Sequence, residues 1–376
     1  MLLINLFLFE FSFIISVFVE KIIQNIYIVK AKTKLRSYGT KIIAITGSYG
    51  KTSLKNYIYT LIKDKYNVLT TKKSYNTLNG ILLTINNNLK PFNEYIILEI
   101  GVDEKGGMNK FLKLFKFDIG VVTTIGNQHL KTFKSIESIA KEKVKLLYNC
   151  NDYVVINNDD PFLNNLAFSI NTIKCSIASK CDINITKISH NTIKISINDK
   201  EYFSKFNLIG KHNLTNLSLA IGICKALNIE DIHIINNIEK LKNVDHRLSV
   251  YFYNDWTIID DSYNSNQQGF INALEELSYY DNYKVIITPG IIENESVNRE
   301  LIEHINNCCD LALIVSNNAI FESLNNKLFF TNFNEAFTYL KENYFDRSMT
   351  ILIENDLPDI YLRWKNETKY YFSLRR

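Results

Sequence analysis

Apolar residues run in short unbroken blocks along the first 160 or so positions, and between the blocks they recur every three or four residues. Unbroken blocks fit strands buried on both faces, and the longer period fits helices. The blocks predict strands at Ile42–Thr46, Asn67–Thr71, Tyr95–Ile100, Ile119–Thr123 and Tyr153–Ile156. Their alternation with helical stretches predicts a mostly parallel sheet with helices on both faces. From Ile183 to Ile197 the isoleucines switch to every second position (Ile183, Ile185, then Ile193, Ile195, Ile197), the period of half-buried antiparallel strands. A small antiparallel sheet attached to the larger one is expected there, and a helix over Asn213–Leu227 closes the unit.

Around Leu241–Asp245 the pattern restarts. A strand at Thr257–Asp260, a helix at Gln267–Tyr280 and strands at Val285–Thr288, Leu311–Val315, Phe329–Thr331 and Thr350–Ile353 predict a second α/β unit without a phosphate loop of its own. A length of 376 residues fits two domains better than one core. The expected hinge near Asn243 would leave a cleft between them where a second substrate meets a nucleotide. The expected division is 1–38, an apolar N-terminal segment; 39–243, a central nucleotide-binding domain; and 244–376, a C-terminal α/β domain.

Composition adds exclusions. With 46% hydrophobic and 22% charged residues the chain is of the folded kind. A net charge of +4, with no basic block interleaved with aromatics, argues against nucleic acid as a partner. Six scattered cysteines, with no C-x-x-C pair, read as reduced thiols of a cytoplasmic protein. Met1 to Val19 is almost wholly apolar, and Lys21, Lys30, Lys32, Lys34 and Arg36 follow it. About 20 residues cross a bilayer, so the segment is a membrane-anchor candidate whose basic flank would keep the rest in the cytoplasm. Glu10 would cost about 2.5–3.5 kcal/mol at the bilayer centre, which keeps a surface-lying or helix-packed segment open.

The sharpest chemical signal is Thr46-Gly47-Ser48-Tyr49-Gly50-Lys51-Thr52-Ser53, between the strand at Ile42–Thr46 and a helix-compatible stretch from Leu54. A strand that turns through glycines into a helix N-terminus aims several backbone N–H groups and the helix dipole at one point, where polyphosphate fits. Lys51 would reach the β- and γ-phosphates and the Thr52 hydroxyl would join Mg²⁺. Glu99 ends the strand Ile97-Leu98-Glu99 and is either a Mg²⁺ ligand or a solvated edge residue. His129, just after another strand, is a candidate to bind or orient a metal, although a lone histidine there is more often structural. Lys143, in the helical stretch Ile139–Leu147, is either a surface lysine or an amine carbamylated into an anionic metal ligand.

Together these motifs resemble the Mur ligases, ATP-dependent enzymes that add amino acids to a nucleotide-sugar peptide in peptidoglycan synthesis. The resemblance rests on Thr46–Thr52, Glu99-Ile100-Gly101, Asn127-Gln128-His129-Leu130, Lys143-Val144-Lys145-Leu146-Leu147, Gly210-Lys211-His212-Asn213-Leu214-Thr215-Asn216 and His246-Arg247-Leu248, and covers about residues 40 to 360. Asp260-Asp261-Ser262-Tyr263-Asn264-Ser265-Asn266 and Ser74-Tyr75-Asn76-Thr77-Leu78-Asn79-Gly80 are similar to the members that add D-alanyl-D-alanine. Thr288-Pro289-Gly290 and Glu354-Asn355-Asp356-Leu357-Pro358 resemble a membrane-associated subgroup from low-GC bacteria.

The resemblance implies a P-loop ATPase-like central domain followed by a Rossmann-like domain, with ATP and Mg²⁺ as cofactors. It implies catalytic roles for Lys51, Glu99, His129, Lys143 and Arg247, and nucleotide contacts from Gly47 through Ser53, Asn213, Asn216, Arg247 and Asp261. Thr52, Glu99, His129 and carbamylated Lys143 would serve the metal. Ser74, Asn76, Asn79, Tyr263, Asn264 and Asn266 would serve the substrate. The expected partners are a muramoyl-peptide precursor and D-alanyl-D-alanine, with the enzyme a monomer in the cytoplasm or at the cytoplasmic face of the membrane through residues 1–19. The apolar segment stands where the family carries its uridine-diphosphate-binding domain, which points to a lipid-linked acceptor. Two other readings stand beside this one: a Mur-like ligase for another acceptor, and a membrane-tethered nucleotide-binding protein that has lost ligation.

Overall fold

A long helix, α1 (Leu2–Tyr38), leads into β1 (Lys41–Thr46), which is buried at every position after its first because it runs mid-sheet with both faces covered. In this computed structural model residues 2–72, 75–189, 191–242, 248–262, 267–291, 295–316 and 319–354 are described. The chain forms two units, Met1–Asn207 with His212–Leu241, and Leu208–Lys211 with Lys242–Arg376.

After β1 the chain alternates through α2 (Lys51–Ile62), β2 (Val68–Thr70), α3 (Leu78–Asn88), β3 (Tyr95–Glu99), α4 (Gly107–Leu112), β4 (Phe117–Val122), α5 (Leu130–Phe133), α6 (Ile136–Val144) and β5 (Cys150–Asn157). Then come β6 (Asn171–Ser176), β7 (Ile183–Lys187), β8 (Thr192–Ile197) and β9 (Lys200–Lys205), followed by α7 (Lys211–Ala226) and α8 (Asp231–Ile238). All nine strands join one sheet in the order β2-β3-β1-β4-β5-β6-β7-β8-β9. Pairing is parallel from β2 to β7 and antiparallel from β7 to β9. The alternating isoleucines therefore extend the edge of the large sheet, with Ile193, Ile195 and Ile197 buried along β8 and polar residues between them.

The strand order decides where chemistry sits. After β1 the chain builds β2 and β3 on one side, then crosses to β4 on the other, so β1 lies at a switch of direction. In such sheets the crevice opens at the C-terminal ends of the strands beside the switch. Thr46, Glu99 and Val122 end β1, β3 and β4 there.

The C-terminal half of α1 is part of this unit. Ala31 is fully buried, and Ile28, Leu35 and Tyr38 pack on the core beneath the sheet. Lys34 Nζ donates to the Asn86 carbonyl at 2.6 Å, Asn86 Nδ2 donates to the Tyr27 carbonyl at 2.9 Å, and Gln24 Nε2 donates to Asn79 Oδ1 at 2.9 Å. The side chains of residues 1–15, most of the expected anchor, lie outside the described residues. Among the described residues no helix is long and apolar enough to cross a membrane.

The second unit holds β10 (Ser249–Tyr253), β11 (Trp256–Asp261), α9 (Gln267–Ser278), β12 (Tyr283–Thr288), α10 (Glu295–Cys308), β13 (Leu311–Ile314), β14 (Lys327–Phe329), α11 (Phe333–Asn343) and β15 (Met349–Glu354). Its sheet order is β10-β11-β15-β12-β13-β14, parallel except for the β10–β11 hairpin. Successive residues of each strand feed opposite cores. Ile286 and Leu352 join Phe270, Leu274 and Leu301 on one face, while Ile287 and Ile351 join Phe333, Phe337 and Leu340 on the other.

Candidate active site

The turn between β1 and α2 is held open by two glycines. Gly47 has φ 143°, and a Cβ built on it would lie 1.9 Å from Thr123 Oγ1. Gly50, which caps α2 with φ 80°, would place a Cβ 2.6 Å from Asn216 Oδ1. Neither position has room or backbone conformation for a larger residue. The loop is pinned from β4: Ser48 N–H donates to the Thr124 carbonyl at 2.7 Å, the Thr123 hydroxyl donates to the Tyr49 carbonyl, and Gly126 N–H donates to Ser48 Oγ at 3.0 Å. Tyr49 packs its ring against Gly126, where a Cβ would meet it at 2.5 Å. The first N–H groups of α2 have no acceptor within the helix and face the loop.

Polar side chains converge on this turn. Lys51 Nζ donates to the carbonyls of Gly47 at 2.8 Å and Ser48 at 3.1 Å. The Thr52 hydroxyl donates to Glu99 Oε2 at 2.9 Å, and Lys55 Nζ lies 3.3 Å from the same oxygen. Glu99 is thus a buried, fully engaged carboxylate and not a solvated edge residue, being only 2% exposed. Asn76 Nδ2 reaches Glu99 Oε1 at 3.5 Å. Burial pulls the Lys55 amine down from its ordinary value, with Glu99 opposing.

Lys143 is the largest departure from a bland reading of the sequence. It is 1% exposed, and its Nζ donates to the Gly47 carbonyl at 2.7 Å. Burial, with Lys51 repelling, pushes its amine well below 10.5, which favours the neutral form. His129 caps α5 in the left-handed region at φ 60°. Burial, then repulsion from Lys143, lowers its imidazole below 6.5, Asp103 opposing and Lys51 adding.

α7 brings two asparagines under the loop. Asn213 Oδ1 accepts the hydroxyl of the fully buried Tyr57 at 2.8 Å, which makes it a brace between α7 and α2. Asn216 lies against Gly50, 3% exposed, with Nδ2 lacking a hydrogen-bond partner among the described residues. An orphaned buried amide costs about 1–3 kcal/mol, and a ligand acceptor would satisfy it. The residues therefore fit a magnesium nucleotide: cationic Lys51, a hydroxyl and a carboxylate side by side, and an amide awaiting an acceptor. Among the described residues no group of three or more His, Cys, Asp or Glu is placed to hold a metal alone.

Asn79 is tied to Gln24 of α1. Asp261 belongs to the second unit, where its Oδ1 accepts the Leu248 N–H at 3.0 Å beside Glu354, its partner across β15. Arg247, Ser74, Tyr263, Asn264, Asn266 and the hinge expected near Asn243 lie outside the described residues. Sequence reasoning passed over Thr123, Asn157, Asp160 and Lys55. Asn157 Nδ2 holds the Thr123 carbonyl at 3.0 Å, and Asp160 Oδ2 holds the Ile125 N–H at 2.7 Å. Position at the end of a predicted strand was their available signal. Lys55, one turn beyond Lys51 on a mostly buried helix, had the better one.

Residues 45–224 match the model of the Mur ligase middle domain. A UDP-N-acetylmuramoyl-tripeptide–D-alanyl-D-alanine ligase of Buchnera aphidicola is 29% identical over 262 residues, 67% of this chain and 57% of that protein. The same-named ligase of Bacillus subtilis is 27% identical over 271 residues, 70% of this chain and 59% of its own. The chain thus spans less than two thirds of the length of these relatives. Among solved structures, the MurF ligase of Thermotoga maritima in complex with ADP superposes with a TM-score of 0.79 at 21% identity, covering 89% of this chain and 80% of that one. MurF of Acinetobacter baumannii gives 0.77 at 17% identity, covering 91% and 80%. The matched domain encloses the phosphate loop, Glu99, Lys143 and Asn216, so residues 45–224 are similar to a Mur ligase middle domain and the chain shares its fold with the MurF structures.

Proposed function

We propose that this protein is an ATP-dependent ligase that joins D-alanyl-D-alanine to a muramoyl-tripeptide precursor in peptidoglycan synthesis. The observation that carries the reading is the meeting of Thr52, Glu99 and Lys143 around the Gly47–Lys51 turn. The names of the relatives and the D-D-S-Y-N-x-N run at Asp260–Asn266 support the substrate.

In the reaction the γ-phosphoryl leaves the β-phosphate oxygen for the acceptor's terminal carboxylate. The dipeptide amine then attacks the activated carbonyl carbon, loses its proton and expels phosphate. Such transfer needs positioning and charge neutralisation more than a protein nucleophile. Lys51 turns from the loop carbonyls to the β- and γ-phosphates, and Asn216 Nδ2 donates to the nucleotide. Thr52, Glu99, His129 and carbamylated Lys143 would hold Mg²⁺, which when bound neutralises charge on the transferring phosphoryl oxygens. Asp261 and Arg247 would serve the nucleotide, and Ser74, Asn76, Asn79, Tyr263, Asn264 and Asn266 would serve the substrate.

The proposal extends to α1. Phe18, Val19, Ile22, Ile23, Ile26 and Val29 present an exposed apolar stripe that runs into Lys30, Lys34 and Arg36, which supports membrane contact through the N-terminal segment by a monomer at the cytoplasmic face. Vesicles of phosphatidylglycerol should sediment the full chain and not one lacking residues 1–19.

The test is phosphate release from ATP with Mg²⁺, D-alanyl-D-alanine and either a UDP-linked or a lipid-linked muramoyl-tripeptide, with the product read by mass. Release should require both the dipeptide and one acceptor, and Lys51→Ala should abolish it. Release indifferent to the dipeptide would leave a nucleotide-binding module instead.

A further inference from the structure

The roles proposed above use Lys51, Thr52 and Glu99 and leave Lys55 without one. Yet Lys55 is a lysine with a side chain only 2% exposed, an arrangement that is costly unless the charge is paired. Its Nζ lies 3.3 Å from Glu99 Oε2 and 3.4 Å from Thr71 Oγ1. That Glu99 oxygen is also the one that accepts from the Thr52 hydroxyl, on the side where a metal would be shared. Glu99 therefore carries its own counter-charge within the protein.

The consequence is electrostatic. A divalent cation approaching Glu99 meets a carboxylate already neutralised by an ammonium, with the Lys51 ammonium on the adjoining loop. Among the described residues no further carboxylates cluster there to hold a metal. Magnesium is commonly held by one or two carboxylates plus substrate phosphates. With Lys55 in place, the phosphates must supply the missing negative charge.

We propose that Lys55 is a built-in counter-cation that closes the Glu99 site to a free divalent cation, so that the metal enters only together with a nucleotide. Lys55 is a positioning residue in this role, acting through Glu99, and the inference rests on the nucleotide–metal reading above.

Binding of Mn²⁺, followed by its electron paramagnetic resonance signal, tests it on the full chain, on Glu99→Gln, on Lys55→Met and on the double variant, each with and without ADP. Wild type should bind Mn²⁺ at a Glu99-dependent site only with ADP present. Lys55→Met should bind it without ADP, about tenfold or more tightly than wild type, and the double variant should lose that binding. Unchanged nucleotide-free affinity in Lys55→Met overturns the inference. So does wild-type binding without ADP that Glu99→Gln removes, an arm that decides the matter even if Lys55→Met fails to fold. No Glu99-dependent binding even with ADP would instead overturn the metal reading on which the inference stands.

Discussion

The amine of Lys143 sits 2.7 Å from the carbonyl oxygen of Gly47, ninety-six residues away in sequence, and shares that acceptor with Lys51. Because burial and Lys51 lower its pKa, the folded protein binds fewer protons here than the unfolded chain does between that lowered pKa and about 10.5. Stability from this group is therefore suppressed near neutrality and recovered as pH rises towards that value. Relative to Lys143→Met, wild type should gain unfolding free energy between pH 7 and 10 in urea melts. A gap independent of pH would mean that the amine stays charged. A neutral amine also captures carbon dioxide, so ¹³C-bicarbonate should give a carbamate NMR signal that Lys143→Met lacks.

Gly47 and Thr123 form a steric pair. Gly47→Ala should cost about 2 kcal/mol or more in stability and remove ADP binding, because the new methyl meets the Thr123 hydroxyl and the backbone is held at positive φ. Adding Thr123→Ala should recover part of the stability. No recovery in calorimetry would show that the backbone conformation carries the whole cost.

Asn216 buries an amide that the described residues leave without a partner. Asn216→Ala should weaken ADP binding about tenfold while changing unfolding by less than about 1 kcal/mol. Isothermal titration beside a urea melt separates the two. Equal ADP affinity in both proteins would remove Asn216 from the nucleotide site.

In the second unit Glu354 is fully buried beside Asp261 and Asp260, and burial followed by those two charges raises its carboxyl well above 4.5. The folded state keeps a proton that the unfolded chain releases above about that pH, so this group's contribution falls as pH rises. Glu354→Gln, which mimics the protonated form, should be stabilised relative to wild type increasingly from pH 5 to 8. Parallel pH profiles in the two proteins would contradict this.

Much of the fold was legible from pattern alone because strand burial writes itself into composition. A strand in the middle of a parallel sheet is apolar throughout, as at Ile42–Ile45, and β8 alternates because one face is wet. Strands with partial burial escaped notice, as with β6, whose first half is only intermediate in exposure. The short β10 and β9, mixed in polarity, escaped for the same reason.

The local order of residues by itself determined the turn proposed to cradle phosphate: two glycines, a lysine and a hydroxyl between a strand and a helix need only their neighbours to take shape. Strand and helix context then offered Glu99 and Lys143, each with two readings, but their physical states belonged to the tertiary structure. Whether a glutamate is solvated or paired, and whether a lysine is a surface ammonium or a buried amine, depends on which distant backbone and charges close over it. The placement of β1 between β3 and β4 brought Thr52, Lys55 and Glu99 together, and α6 carried Lys143 to Gly47. Desolvation and Coulomb interactions act through space, so no reading of spacing along the chain contains them.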